Sequence, residues 1–251
     1  MKILVAIKQV PARDSLLAAS ADGKWIDESS LDYEINEPDA YALEEALQLK
    51  EAHGGEVVAV CAGPDRAGST IREALAKGAD RAIHIEVEDI VAWDSLATAK
   101  LLAAAVKQEA PDLVLTGLQS DDVGAGQSGV ILAELLGLPH ATIIMQVEVS
   151  GNQLRVKREL EDGWFQNVGM PLPAVLTIQS GIKKLRYATL MGIKKAKTKE
   201  VRTVSPAELN VTQTASYELV GVTLPQRSKQ TQMVGSVAEL VDKLKNEAHA
   251  L

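Results

Sequence analysis

Short, almost wholly apolar runs recur through the first half of the chain, and they limit the possible folds more than any other feature. Residues 3–7, 57–61, 82–85 and 113–116 are such runs, each of strand length. A strand without a polar face must be buried on both sides, as in a parallel sheet covered by helices. The intervening stretches carry helical periodicity. Residues 38–51 place Tyr41, Ala42, Leu43, Ala46, Leu47 and Leu49 on one stripe, with Pro38 in the first turn. Residues 65–77 stop at Gly78, where a helix C-terminus favours glycine. Residues 94–109 open on Asp94 as an N-cap, and residues 127–136 end at Gly137 with Pro139 just beyond. This alternation predicts an α/β fold built on an open, mostly parallel, doubly wound sheet.

The second half changes character. Residues 142–149, 153–160 and 164–168 read as strands joined by Ser150-Gly151-Asn152 and Glu161-Asp162-Gly163, an antiparallel meander ahead of one more buried strand at 174–178. From about residue 181 the composition shifts again. Between Lys183 and Arg202 stand eight basic residues against one acid, Glu200. A terminal helix opens at Ser236-Val237-Ala238-Glu239 as a capping box, with Leu240, Val241 and Leu244 as its apolar stripe. The division expected is a core of residues 1–182 and a C-terminal arm of residues 183–251. Two readings of the arm stay open: it reaches onto a partner, or it lies on its own domain.

In a parallel α/β sheet, ligands bind beyond the carboxyl ends of the strands. Three strand-to-helix connections have suitable composition: Lys8-Gln9-Val10-Pro11, Ala62-Gly63-Pro64, and the long loop from Gly117 to Gly129. The last ends in glycines and a hydroxyl at the start of a helix, where free N–H groups and the helix dipole attract anions. Gly124-Ala125-Gly126-Gln127-Ser128-Gly129 fits Gly-x-Gly-x-x-Gly but follows the fourth strand rather than the first. A phosphate cradle and a merely flexible loop are both compatible with it. Asp121 and Asp122 oppose a phosphate if they face it, so they are expected to cap backbone amides or face a ribose.

Composition removes other classes. The acids exceed the bases by 34 to 26, a net charge of −8, against a nucleic-acid binder, whose affinity rests on Lys and Arg neutralising phosphates. Only eight residues are aromatic, few for base stacking. A single cysteine, Cys61, excludes an intrachain disulfide and reads as a small core thiol. His53, His84, His140 and His249 lack metal-ligand spacing. Glu44 and Glu45 are expected on a solvated helix face, and no hydrolytic constellation is visible. There is no run of about 18 apolar residues, and residues 3–7 read as a strand rather than a signal peptide, so a cytoplasmic protein is expected.

Several segments together resemble the electron transfer flavoprotein beta-subunit family. They are residues 3–11 (Ile-Leu-Val-Ala-Ile-Lys-Gln-Val-Pro), 35–47 around Asn36-Glu37-Pro38-Asp39, 71–82, the loop 117–129, and Arg186-Tyr187-Ala188-Thr189-Leu190 followed by Ile193-Lys194-Lys195-Ala196-Lys197. They occur in the family's order and span nearly the whole chain. The resemblance implies a Rossmann-like, adenine-nucleotide-binding fold in a subunit that makes no bonds itself. With an alpha subunit it would accept electrons from flavin-containing dehydrogenases and pass them on. The redox FAD would lie mainly on the alpha subunit, and this chain would bury a structural AMP. Carried over by position, the AMP site falls on Ala6, Asn36, Glu37, Pro38, Asp39, Ala62, Gly117, Gln119, Ser120, Asp121, Asp122, Val123, Gly124, Ala125, Gly126, Gln127 and Ser128, with Asn36 suited to an adenine or ribose edge. Leu190 matches the leucine that anchors a recognition loop in the dehydrogenase; packing at home is the alternative. Some members carry a second FAD instead of AMP and bifurcate electrons, usually with Gly-Pro opening the phosphate-loop helix. Here the pair is Gly129-Val130, which favours AMP, and Arg13 stands where some relatives have a tyrosine that reaches toward the FAD. A stand-alone ATP-binding protein of the universal-stress type is the remaining alternative.

Overall fold

The apolar runs become central strands. The chain begins with β1 (Lys2–Ala6), the short strands β2 (Gln9–Pro11) and β3 (Tyr33–Ile35), and helix α1 (Glu37–His53). Next come β4 (Glu56–Gly63), α2 (Gly68–Lys77), β5 (Arg81–Glu86), α3 (Ser95–Glu109), β6 (Leu113–Gly117) and α4 (Ser128–Leu136). The second half holds β7 (His140–Ser150), β8 (Gln153–Glu159), β9 (Phe165–Pro171), β10 (Ala174–Ile178), α5 (Leu190–Ala196), β11 (Val201–Val204) and α6 (Val237–Asn246). The computed structural model describes residues 1–89, 93–212, 215–225 and 231–251.

Nine strands form one sheet in the order β11-β5-β4-β1-β6-β10-β7-β8-β9. Pairing is parallel from β11 to β7 and antiparallel through β8 and β9, while β2 and β3 make a separate antiparallel pair. Alternate side chains on each strand sort into two layers. Ile3, Val5, Val57 and Ala59 pack with Leu43 and Leu47 of α1 and Ile71 and Leu75 of α2. Leu4, Val58 and Val60 pack with Leu101 and Ala105 of α3 and Leu132 of α4. All four helices thus cover a sheet that is buried on both sides, the doubly wound arrangement that the runs predict. Each such Leu, Ile or Val contributes about 1.5–3 kcal/mol by leaving water.

Two features escaped the sequence. Strand β11 adds to the edge of the sheet beside β5, and four residues reading Val-Arg-Thr-Val offer too short a pattern to announce it. Glu44 and Glu45 do not form a solvated face: they are only 4% and 1% exposed. The segment carrying Lys183 and Arg186 crosses α1 and supplies the counter-charges, so the acids are paired rather than hydrated. Helix α6 has the expected cap, with Ser236 accepting from the N–H of Glu239, but buries none of its residues. Among the described residues no helix is long and apolar enough to cross a membrane.

The winding reverses at β1, which has β4 on one side and β6 on the other. Asp39, in the first turn of α1, holds the carboxyl ends of β1 and β6 at this point. Its Oδ2 accepts the N–H of Lys8 and its Oδ1 that of Gly117, both at 2.8 Å. Burial pushes the Asp39 carboxyl up to about 7, because desolvation outweighs these two bonds. Gly117 leaves no room between strand and helix. A Cβ there would come 2.4 Å from Asp39 Oδ1 and 2.7 Å from Pro38 Cβ.

Gly117→Ala should therefore cost on the order of 1–3 kcal/mol in chemical denaturation, the usual penalty of overpacking; an unchanged midpoint would show that the junction is not close-packed. The raised carboxyl of Asp39 sets a pH dependence with a definite sign. The unfolded chain ionises this group from about pH 4, whereas the folded chain holds its proton until about pH 7. Folding is thus disfavoured progressively between those limits, by up to about 4 kcal/mol. The stability of the wild type relative to Asp39→Asn should decline as pH rises from 4 to 7, and a constant or growing difference would contradict the assignment.

Candidate functional site

The reversal at β1 opens a cavity of about 910 Å³ at the carboxyl ends of β1, β4 and β6. This is where a doubly wound sheet receives ligands, and the volume lies in the usual ligand-pocket range of about 300–1,000 Å³. From the strand ends come Ala6, Ala62 and Gly117, and from the start of α1 come Asn36 and Asp39. The loop after β6 contributes Gln119, Ser120, Asp121, Asp122, Val123, Ala125, Gly126, Gln127 and Ser128. Glu37, Pro38 and Gly124 support the lining from outside it. Glu37 donates its N–H to Asp121 Oδ2 at 3.3 Å, Pro38 sits in the first turn of α1, and Gly124 donates to the carbonyl of Ser120 at 2.9 Å.

The loop after β6 is held by hydrogen bonds and shaped by glycine. Gly124 and Gly126 have φ of +65° and +62°, left-handed values that glycine adopts without strain. Asn36, 1% exposed, bridges to the loop: its Nδ2 donates to the carbonyl of Gln119 at 3.0 Å and its Oδ1 accepts from the N–H of Asp121 at 2.9 Å. The amide that the resemblance offers to a base edge is thus engaged with backbone. At the far end of the loop α4 begins with no side-chain cap and no acid in its first turn. Gly129 brings that helix end close to the sheet, since a Cβ there would lie 2.6 Å from Thr116 Oγ1 and 2.7 Å from Thr177 Cγ2.

The sequence reading expects the two loop acids to cap backbone amides or face a ribose; each does accept a backbone N–H, Asp121 from Glu37 and Asp122 from Val123, and each also meets a cation that the reading did not foresee. Lys8 Nζ lies 2.7 Å from both carboxylate oxygens of Asp122 and 3.4 Å from Ser120 Oγ. Burial is the largest single influence and would raise the Asp122 carboxyl, but the charge and hydrogen bond of Lys8 together with hydrogen bonds from Ser120 and the Val123 N–H hold the group below the usual carboxylate range. Asp121 accepts from the first turn of α1 and lies 3.6 Å from Arg13, whose guanidinium also pairs with Glu37. Glu37 and Asp121 raise the Arg13 pKa, the hydrogen bond that Arg13 donates to Glu37 first. With their charges compensated in this way, Asp121 and Asp122 repel an anion at the start of α4 much less than bare carboxylates would.

The sequence reading missed the opposite wall. Arg66 stacks over the Tyr33 ring at 3.9 Å and pairs with Glu28 at 3.1 Å, while Trp25 donates to Glu28 at 2.8 Å. Trp25, Tyr33, Trp93 and Tyr217 all line the cavity, so half of the chain's eight aromatic residues converge on one place. They come from four separate stretches with no shared spacing, and no periodicity connects them. Lys8, in the connection Lys8-Gln9-Val10-Pro11 that the sequence reading singled out, does line the cavity, but its pairing with Asp122 was not foreseen. Cys61 lies in the core with its thiol pushed up by burial to about 12, and the ring of His84 is satisfied by the carbonyl of Gly63 at 2.9 Å. Among the described residues no group of His, Cys, Asp and Glu is placed to hold a metal.

Leu190 stands apart from the cavity lining, on α5, which packs against the end of α2. It is 82% exposed at the start of α5, where Thr189 Oγ1 caps the helix by accepting from Gly192 N at 3.0 Å. Exposed Tyr187, Met191 and Ile193 surround it, with Lys194, Lys195 and Lys197 on the rim.

Comparison with known proteins bears on the whole chain. Residues 24–209 match the electron transfer flavoprotein domain. Electron transfer flavoprotein subunit beta of Bradyrhizobium diazoefficiens is 40% identical over 100% of both chains. The protein of the same name from Methylophilus methylotrophus is 38% identical over 97% of this chain and 96% of its own, and that from Homo sapiens 36% over 98% and 97%. Similar proteins from Oryza sativa and Arabidopsis thaliana are named as mitochondrial forms. With a parallel sheet wound on both faces and an end-to-end match to these relatives, the chain belongs to the electron transfer flavoprotein beta-subunit family.

Proposed function

We propose that this chain is the nucleotide-holding half of an electron carrier. Paired with an alpha subunit, it accepts electrons from flavin-containing dehydrogenases and delivers them to a further acceptor. The observation that carries this reading is the cavity at the reversal of β1 and β6, where a glycine-shaped loop opens a helix and the nearby acids are already paired. An AMP fits such a site. Its phosphate would meet the uncapped N–H groups of Ser128 and Gly129, where the helix dipole favours an anion. Left-handed Gly126 keeps the loop backbone close to the ligand without a Cβ in the way. Its ring would lie among the apolar and aromatic walls. Bound there, AMP supplies no redox chemistry; its role is to fill and order the sheet edge. The FAD of the heterodimer, held mainly by the alpha subunit, supplies the electron-carrying chemistry. This chain's residues bind, order and dock.

In the same reading residues 183–251 form an arm that serves the partners. Helix α6 keeps Val237, Leu240 and Val241 exposed, a stripe suited to packing on the alpha subunit. Leu190 is the docking anchor for the dehydrogenase. An apolar residue exposed among lysines combines a contact that excludes water with charges that steer an approaching partner. Such docking is weak and short-lived, as a carrier that must leave one partner for another requires.

Denaturing the purified heterodimer and counting released nucleotides should give one AMP for each FAD. Two FAD and no AMP would replace this reading with a bifurcating one. Leu190→Ala should slow reduction of the heterodimer by its dehydrogenase about tenfold or more while leaving the flavin spectrum unchanged; undiminished rates would take Leu190 out of the interface.

A further inference from the structure

The pairing of Glu44 and Glu45, two buried acids on α1 that the nucleotide site does not use, points to a second role for this helix. We propose that Glu44 and Arg186 are positioning residues that clamp the base of the exposed apolar tip at Tyr187–Met191 and so hold it ready to dock. The proposal rests on the docking reading of Leu190 and adds the device that presents it.

The geometry is that of a clamp rather than of a casual surface pair. Residues 181–189 run without helix or strand, so neighbouring structure must fix their backbone. Arg186 meets Glu44 as a fork, Nε to Oε2 at 2.8 Å and Nη2 to Oε1 at 3.0 Å, and its backbone N–H reaches Oε2 at 3.3 Å. Its remaining Nη1 binds Glu51 at 2.7 Å, one further turn pair along α1. Gln48 donates to Glu44 Oε1 at 2.7 Å, which fixes the carboxylate from the other side. A longer ion pair of 3.7 Å joins Lys183 to Glu45, and Leu185, between the two charged ties, and Ile182, just before them, pack against the core. Two carboxylates buried side by side are costly unless counter-charges offset their desolvation, and here both counter-charges, Lys183 and Arg186, come from the segment that leads into the tip.

A second anchor lies on the other side of the tip. A Cβ on Gly192 would fall 2.3 Å from the carbonyl oxygen of Ala76, so α5 sits directly on the end of α2. Arg72 Nη1 donates to the carbonyl of Ala196 at 2.8 Å, and Lys199 Nζ to that of Leu75 at 2.9 Å. Tyr187 and Leu190, 92% and 82% exposed, are therefore suspended between a tie to α1 and a tie to α2. A tip held in its docking shape avoids the entropy that a loose loop loses on binding. The fork matters, because a lysine at position 186 would offer a point charge in place of three directed bonds.

The test uses the full heterodimer carrying Glu44→Gln or Arg186→Lys, the latter leaving no buried charge without a counter-ion. Hydrogen exchange read by mass spectrometry should accelerate at least tenfold in residues 187–193 and stay unchanged in the strands of the sheet. Reduction by the dehydrogenase should show a KM about tenfold higher with kcat and the flavin spectrum preserved. Unchanged exchange in the tip overturns the proposal, and so does faster exchange with an unaltered KM. Normal kinetics in the clamp variants beside impaired kinetics in Leu190→Ala would sink the clamp and leave the docking reading standing. Normal kinetics in all three would remove both.

Discussion

One buried carboxylate organises this molecule. Asp39 accepts the N–H groups that end β1 and β6, and those strands are the two between which the sheet reverses its winding. A reversal of this kind leaves a gap, because the connecting loops turn away on opposite sides of the sheet. Any element bridging that gap must satisfy backbone donors that no neighbouring strand can reach. Asp39 does so from the first turn of α1, and Asn36 extends the bridge to the loop after β6. The cavity is thus a product of topology, while its walls are set by two polar side chains three residues apart.

The internal pairing of the loop acids keeps the electrostatics at the cavity quiet. Asp121 turns back to the start of α1 and Asp122 to Lys8, so the acids of a net-negative chain do not crowd the helix end where an anion would settle. The same economy governs the middle of α1, where Glu44 meets Arg186 and Glu45 meets Lys183. One helix carries a ligand-facing junction at its start and a charged seam in its later turns.

Much of this was legible beforehand. The apolar run at residues 113–116 suits a strand buried on both sides and became β6, and Gly78 and Gly137 end their helices as glycine usually does. The loop from Gly117 to Gly129 stood out by its length and its glycines. What could not be read were contacts between segments far apart in sequence. Glu44 looked solvated because Arg186 lies 142 residues away, and Trp25, Tyr33, Trp93 and Tyr217 share no spacing that would reveal a common wall. Gly117 and Gly129 looked like phosphate-loop glycines, yet packing alone requires both, against Asp39 and against Thr116 and Thr177. Local pattern predicts elements; the partners that neutralise or crowd a side chain are set by tertiary geometry.

The placement of β11 bears on biosynthesis. Strand β5 obtains its outer neighbour only from Val201–Val204, so a nascent chain lacking those residues exposes the unpaired N–H and C=O groups of β5 to any other strand nearby. Vectorial synthesis from the N-terminus therefore builds the other eight strands of the sheet before its border can be sealed, and premature termination upstream of residue 201 should yield fragments prone to self-association rather than miniature versions of the fold.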